Sequence, residues 1–330
     1  MKTTIFGAGA VGGHLAARLG AAGAEVAAVA RGAHLAAIQE RGLTLHIGDE
    51  TLHARIRATD RPEELGPQDL VIVTAKSSSM PELASSIATL IGPDTSVVFA
   101  MNGIPWWYLY RAEMTGPPPN LSRLDPDGAL AREIGMERVI GCMINSANEV
   151  VEPGVIRNSP MTRNKFTFGE PDGTISRRVQ AISAELETHG VAAPITETIR
   201  VEIWDKLLRN LSTSPICALT GEPIGVIGRH PELFELSRNL MRESLAVAKA
   251  HGIDVEDNFA SSYGTRPTST HKSSMLQDFE RGRPPEIDGI LTSVQAFARA
   301  ADVPTPTIDA VTALVIEKAR RLGLYPPAEW

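Results

Sequence analysis

The stretch Thr3-Thr4-Ile5-Phe6-Gly7-Ala8-Gly9-Ala10-Val11-Gly12 decides the fold class. A short apolar run is followed by three glycines at the spacing G-x-G-x-x-G. These open an alanine-rich segment in which Val11, Leu15 and Leu19 repeat at helical spacing. A strand, a tight turn and a helix are predicted. Gly7 permits the turn, Gly9 removes a side chain that would block a phosphate, and Gly12 lets the helix lie close to the strand. Ala8, Ala10 and Val11 complete the loop, where the free N–H groups of the helix N-terminus and its dipole favour an anion. Gly23 ends the helix, and Glu25-Val26-Ala27-Ala28-Val29-Ala30 reads as the returning parallel strand. The unit is βαβ, and its expected ligand is the pyrophosphate of a dinucleotide.

Composition sets the frame around this unit. At 330 residues the chain exceeds the usual size of one core, so two domains are expected, and 43% hydrophobic residues suffice for both. A formal charge of −7 gives no electrostatic footprint for nucleic acid or an anionic membrane. The two cysteines, Cys142 and Cys217, form no C-x-x-C or Cys/His cluster, so no metal is expected. Lys2 ahead of an apolar stretch resembles a secretory signal, but His14 and Arg18 interrupt the apolar run. With no uninterrupted run long enough to span a bilayer, a cytoplasmic protein is expected; a homodimer stays open.

The residues after each strand define the ligand further. Where an NAD site carries an acid about 20 residues beyond the glycines, this chain has Ala30-Arg31-Gly32. Arg31 offers a permanently charged fork for a 2′-phosphate. Lys76 ends the next parallel strand, Asp69-Leu70-Val71-Ile72-Val73-Thr74-Ala75-Lys76, at the edge where open α/β sheets bind ligands. Together they argue for NADP(H). Leu43–Ile47 and Leu52–Ile56 alternate like a hairpin continuing the sheet, Pro81 to Ile91 reads as a helix, and Thr95–Ala100 is a buried strand. Asn102-Gly103 follows it, and Asn102 is a candidate contact to substrate or nicotinamide ribose. From Arg111 to Arg138, Gly116-Pro117-Pro118-Pro119-Asn120 and Asp125-Pro126-Asp127-Gly128 break the pattern, as in a surface insertion or flap. Strands at 138–144 and 165–169, a helix from about Thr174 and a short strand toward Ala193 complete the first domain.

From about Glu197 helical periodicity dominates. In Ile203-Trp204-Asp205-Lys206-Leu207-Leu208-Arg209-Asn210-Leu211-Ser212-Thr213-Ser214, the residues Lys206, Asn210 and Ser214 stand at i, i+4 and i+8 among large apolar neighbours. Hydride delivery to a ketone leaves negative charge on oxygen, which a positioned ammonium can stabilise and protonate. Asn210 and Ser214 would orient a carboxylate or hydroxyl. An amphipathic helix whose lysine reaches out to water is the plain structural alternative.

With the glycine turn, Ala30-Arg31-Gly32, Asn102-Gly103, Lys206 with Asn210, and Ser273-Ser274-Met275-Leu276-Gln277-Asp278 followed by Glu286-Ile287-Asp288, nearly the whole chain resembles the ketopantoate reductases (2-dehydropantoate 2-reductases). The resemblance implies Lys206 as general acid, Asn210 and Ser274 as substrate contacts, and Glu286 near the nicotinamide ribose. The family commonly has asparagine at Ser214 and an Asn-Gly pair near Ile224-Gly225. These departures, with Trp106-Trp107 and the insertion, point to a remodelled pocket, so the expected reaction is NADPH-dependent reduction of ketopantoate to pantoate or of a related 2-keto acid, one with a larger or more apolar side chain. The expected architecture is an N-terminal Rossmann NADP-binding domain over 1–196 and an all-helical catalytic domain over 197–330, with the active site in the cleft. The expected cofactor contacts are Gly7 to Gly12, Arg31, Lys76, Asn102 and Glu286. A 3-hydroxyacid dehydrogenase of the 6-phosphogluconate or hydroxyisobutyrate kind and a non-catalytic NADP(H) sensor are the alternatives; the Ser-Met-Leu-Gln-Asp block and the intact Lys206 argue against each in turn.

Overall fold

The computed structural model describes residues 1–159, 164–257, 259 and 269–327. The chain divides into two compact units, Met1–Met101 with Tyr110–Ala112 and Asp125–Ile199, and Asn102–Leu109 with Glu113–Leu124 and Arg200–Trp330.

The first unit is built on β1 (Thr3–Phe6), α1 (Ala10–Ala21), β2 (Val26–Val29), α2 (Gly32–Arg41), β3 (Leu43–Ile47), β4 (Glu50–Ala54), β5 (Arg57–Thr59) and β6 (Gln68–Val73). It continues through α3 (Met80–Ala88), β7 (Ile91–Ala100), α4 (Ala129–Ile134), β8 (Val139–Asn145), β9 (Asn148–Glu152), β10 (Val155–Asn158), β11 (Lys165–Gly169) and α5 (Arg177–Thr188). The main sheet has seven strands in the order β5-β2-β1-β6-β7-β8-β11, parallel except where β11 pairs antiparallel with β8. The chain runs outward from β1 to β2 and β5, then crosses back to β6 on the other side of β1. That reversal is the switch point of a Rossmann sheet, and it opens between the carboxyl ends of β1 and β6.

A second sheet of four strands, β4-β3-β10-β9, covers α1. The hairpin at 43–54 therefore does not extend the main sheet, as the alternation alone suggests. Thr44 instead pairs in parallel with Val155, more than a hundred residues on. The partner is chosen by α1, which is thin on both sides. A Cβ on Gly12 would fall 2.4 Å from the Gly7 carbonyl, one on Gly13 2.7 Å from Ile156, and one on Gly20 2.5 Å from Ile56.

Other boundaries move for local reasons. The helix read over 81–91 stops at Ala88, and β7 starts at Ile91 rather than Thr95. Pro93 is tolerated there because the β6–β7 register shifts between Gln68 and Leu70, the kind of irregularity in which a strand proline survives. The Thr95 hydroxyl fills the gap, donating to the Gln68 carbonyl at 2.5 Å and accepting from Gly92 N at 2.7 Å. Toward Ala193 only isolated bridges form, Lys165 with Ala192 and Phe168 with Ile195. The segment 111–138 is no single surface flap: Glu113–Leu124 belongs to the second unit, and α4 buries Leu130 and Ile134 in the first.

The second unit contains α6 (Ile199–Thr220, whose first residue closes the first unit), α7 (Ile224–Ile227), α8 (Pro231–Ala250), α9 (Ser274–Glu280), a π-helical turn (Asp288–Thr292), α10 (Ser293–Ala300) and α11 (Pro306–Arg321). Phe297 centres its core, with edge-on rings from Tyr108 at 5.4 Å, Trp204 at 5.3 Å and His251 at 4.9 Å. Trp204 Nε1 donates to the Tyr108 hydroxyl at 2.8 Å. Trp106 and Trp107 are buried in this unit. The buried face is aromatic because α6 and 104–108 bring large rings to one place.

His14 is buried in α1, against Phe166. Burial first, and the Arg18 guanidinium second, push its ring down to about 4 from 6.5. The unfolded chain therefore binds a proton that the folded chain refuses, so stability is full above pH 6.5 and is lost as pH falls from there through about 4. Over that window His14 should account for about 3 kcal/mol. Urea unfolding at pH 7 and pH 5 checks this: His14→Leu should lose stability on acidification less steeply than the wild type.

Candidate active site

In the first unit the three glycines do three different things. Gly7 sits at φ +101°, a left-handed conformation closed to other residues, and its N–H and that of Ala8 both donate to the Val29 carbonyl at 3.0 Å. Gly12 is packed against Gly7, Thr74 and Ile5. Around Gly9 a Cβ would meet nothing within 4 Å, so that position faces open space beside the start of α1. No side chain caps this N-terminus and its first turn has no acid, which leaves its N–H groups and positive dipole end to an anion. Thr74, a residue sequence reasoning passed over, donates from Oγ1 to the Gly7 carbonyl at 2.6 Å. It ties the end of β6 to the glycine turn across the switch point. A hydroxyl two residues ahead of Lys76, at the end of an apolar strand, was its only signal.

Arg31 immediately precedes α2 in extended conformation, exposed, at the carboxyl end of β2. Lys76 follows β6 and is half-buried. Both cations lie on loops at the edge of the sheet where the glycine turn lies.

The second unit holds the remaining candidates. Asn102 follows β7 by one residue in the middle, yet packs in this unit: its Nδ2 donates to Glu286 Oε2 at 2.9 Å. Gly103, at φ +76°, lies so close to Gly289 that a Cβ would fall 2.3 Å from its carbonyl oxygen, and that oxygen accepts from Ile104 N at 2.7 Å. Glu286 is buried and precedes the π-helical turn. Lys206 and Asn210 are half-buried on α6, and Ser214, two turns beyond Lys206, is buried.

The serine pair ahead of Met275 divides its labour. Ser273 is buried and caps α9, accepting from Leu276 N at 3.2 Å and donating to the Ser214 carbonyl at 3.4 Å. Ser274 begins α9 and is exposed, so capping leaves it to other partners. One turn beyond Ser214, Cys217 is buried, and burial pushes its thiol up to about 11; it stays protonated and unreactive at neutral pH. Ile224 and Gly225 give their backbone N–H groups to the His271 and Ser269 carbonyls at 3.0 and 3.1 Å. Among the described residues no group of His, Cys, Asp and Glu is arranged to hold a metal, and no helix is long and apolar enough to cross a membrane.

Residues 3–173 match the family Ketopantoate reductase PanE/ApbA, and residues 187–319 match Ketopantoate reductase PanE/ApbA C terminal. The 2-dehydropantoate 2-reductase of Mesorhizobium japonicum is 44% identical over 330 residues, covering 98% of this chain and 100% of the relative. A solved structure of a candidate ketopantoate reductase from Ralstonia solanacearum is 37% identical with a TM-score of 0.89, covering 98% of this chain and 99% of the other. D-Mandelate dehydrogenase, solved with NADH and anilino(oxo)acetate, shares the fold at 21% identity and a TM-score of 0.82, over 98% of this chain and 100% of the other.

Gly9 and Gly12 should separate binding from folding. Gly9→Ala adds a methyl group to open space, so it should weaken dinucleotide affinity about tenfold or more while lowering Tm little. Gly12→Ala drives a methyl group into backbone and should lower Tm by several degrees. Fluorescence titration with NADPH beside thermal melts checks both; equal losses of Tm would show that Gly9 is there for folding alone.

Proposed function

Since the chain belongs to the ketopantoate reductase family and is a dinucleotide-dependent oxidoreductase acting on CH-OH groups, we propose that it reduces a 2-keto acid to the 2-hydroxy acid with NADPH. The observation that carries this reading is the polar stripe Lys206, Asn210 and Ser214, half-buried to buried on one helix, in a chain whose first unit has an open glycine turn beside an uncapped helix N-terminus. The residues present fit the dinucleotide. The glycine turn and the α1 N-terminus would hold the pyrophosphate, Arg31 the 2′-phosphate with Lys76 as a second cation, and Asn102 and Glu286 the nicotinamide ribose. Bound there, the reduced nicotinamide supplies the hydride that the carbonyl carbon takes up.

Every other step belongs to the chain's own groups. Asn210 and Ser274 hold the keto acid through its carboxylate or hydroxyl. The Lys206 ammonium stabilises the oxygen as negative charge develops on it and then gives up its proton, so the product leaves as an alcohol and the lysine is neutral until it is reprotonated. A charge that appears only in the transition state is where an ammonium raises kcat rather than affinity. The fold does not decide between NADPH and NADH, because D-mandelate dehydrogenase shares it and was solved with NADH; the preference rests on Arg31. The substrate side rests on Ser214 and Ile224, a short hydroxyl and an apolar side chain, which favour a side chain larger or more apolar than that of ketopantoate.

Arg31→Ala should raise the KM for NADPH at least about tenfold and leave the KM for NADH nearly unchanged, because only the phosphorylated cofactor loses a bidentate partner. Equal efficiency of the wild type with both cofactors would sink the assignment.

A panel of 2-keto acids including ketopantoate, followed by NADPH oxidation, tests the reaction. Lys206→Ala should lower kcat by about two orders of magnitude on the best substrate while NADPH affinity holds. A variant that keeps most of its activity across pH would make the lysine structural. Ketopantoate as the best of the panel would show that Ser214 and Ile224 do not set the choice.

A further inference from the structure

The proline-rich insertion and the residues beyond α11 meet at one carboxylate. Tyr325 donates its phenolic hydrogen to Asp288 Oδ1 at 2.7 Å, and its oxygen accepts from Arg123 Nη1 at 3.1 Å. The same Asp288 oxygen accepts from the Thr292 hydroxyl at 2.8 Å, and the Arg123 guanidinium lies 3.8 Å away. Burial first, and the Asp288 charge second, hold the Tyr325 phenol well above its usual range, so it remains a donor. Arg123 by itself is exposed, and an exposed ion pair contributes little. A phenol bonded to a half-buried carboxylate is the stronger part, since a charged acceptor roughly doubles a hydrogen bond.

Asp288 opens the π-helical turn, a local widening of the helix that is frequent at functional sites. Its neighbours on both sides hold the loop that carries Asn102. Two residues earlier, Glu286 accepts from Asn102; one residue later, the Gly289 carbonyl accepts from Ile104 N and packs on Gly103. Segment 286–289 thus grips 102–104 at two points, and the side chain between those points is held by the insertion and the tail.

We propose that Tyr325 and Arg123 are positioning residues for the reductase reaction: they clasp Asp288, fix the π-helical turn, and through it set the place of the Asn102–Glu286 pair. The kinetic part rests on the roles given above to Asn102 and Glu286. It follows that the insertion is part of the catalytic framework, although none of its residues needs to touch substrate.

The test uses full-length Tyr325→Phe, Asn102→Ala and the double variant. Without added ligand, Tyr325→Phe should make the Ile104 amide exchange at least about tenfold faster, with amides of the first unit unchanged. In turnover it should lower kcat/KM about tenfold at nearly unchanged Tm, and should add little once Asn102 is alanine. Unchanged exchange at Ile104, or losses from the two substitutions that simply multiply, would overturn the proposal. If Asn102→Ala alone left kcat/KM intact, the role of Asn102 would fall and the kinetic role of the clasp with it, while the exchange measurement would still report whether the clasp holds the loop. Arg123→Ala, exposed and safe for folding, should shift Ile104 exchange in the same direction by less; no shift, should Tyr325→Phe fail to fold, would overturn the clasp.

Discussion

The first unit depends on how thin α1 is. Two sheets press on it from opposite sides, and at Gly12, Gly13 and Gly20 there is no room for even one carbon. Glycine in a helix interior costs about 1 kcal/mol each relative to alanine, so α1 is a poor helix by propensity and is held by its surroundings. Close approach to the main sheet sets the α1 N-terminus beside the switch point between β1 and β6. The cost to the helix is thus a condition of the site proposed for an anion, and the same squeeze keeps His14 neutral.

Much of the fold was legible because periodicity reports local burial. The period of α1, the alternation of 43–47 and the long apolar strands all follow from which side of an element is dry. Periodicity carries no information about the partner of a strand, and here it misled. The hairpin at 43–54 alternates equally well whether it extends the main sheet or lies in a second one, and the choice was made by Val155–Asn158, far along the chain. The irregular start of β7 was hidden for a related reason: Pro93 reads as a breaker unless the register shift that shelters it is known.

The residues proposed to carry chemistry stand out in the sequence more readily than the residues that place them. Lys206, Asn210 and Ser214 declare themselves by spacing on one helix, and Arg31 by standing where an acid would otherwise be. Thr74 has no such mark, because a threonine at a strand end is ordinary until its hydroxyl is seen on the Gly7 carbonyl. Ser273 and Ser274 could not be told apart as cap and free hydroxyl, since either can cap the helix that follows. Positioning groups are recognised by partners, and partners are a property of the folded chain.

Asn102 shows what decides allegiance where the two readings differ. By sequence it ends a Rossmann strand; by packing it belongs to the helical unit. The reason lies a few residues on. Ile104, Trp107 and Tyr108 are all fully buried in the second unit, and Arg200 holds the Tyr108 carbonyl with Nε at 3.0 Å and Nη2 at 2.8 Å. A buried aromatic side chain removes about 150–250 Å² from water, which at roughly 25 cal/mol per Å² is an upper bound of about 4–6 kcal/mol per ring. A single extended residue after β7 offers nothing comparable to the first unit. The aromatic anchor therefore draws 102–109 into the helical core, and the Gly103 turn, which only a glycine can make against Gly289, delivers Asn102 to Glu286 on the way.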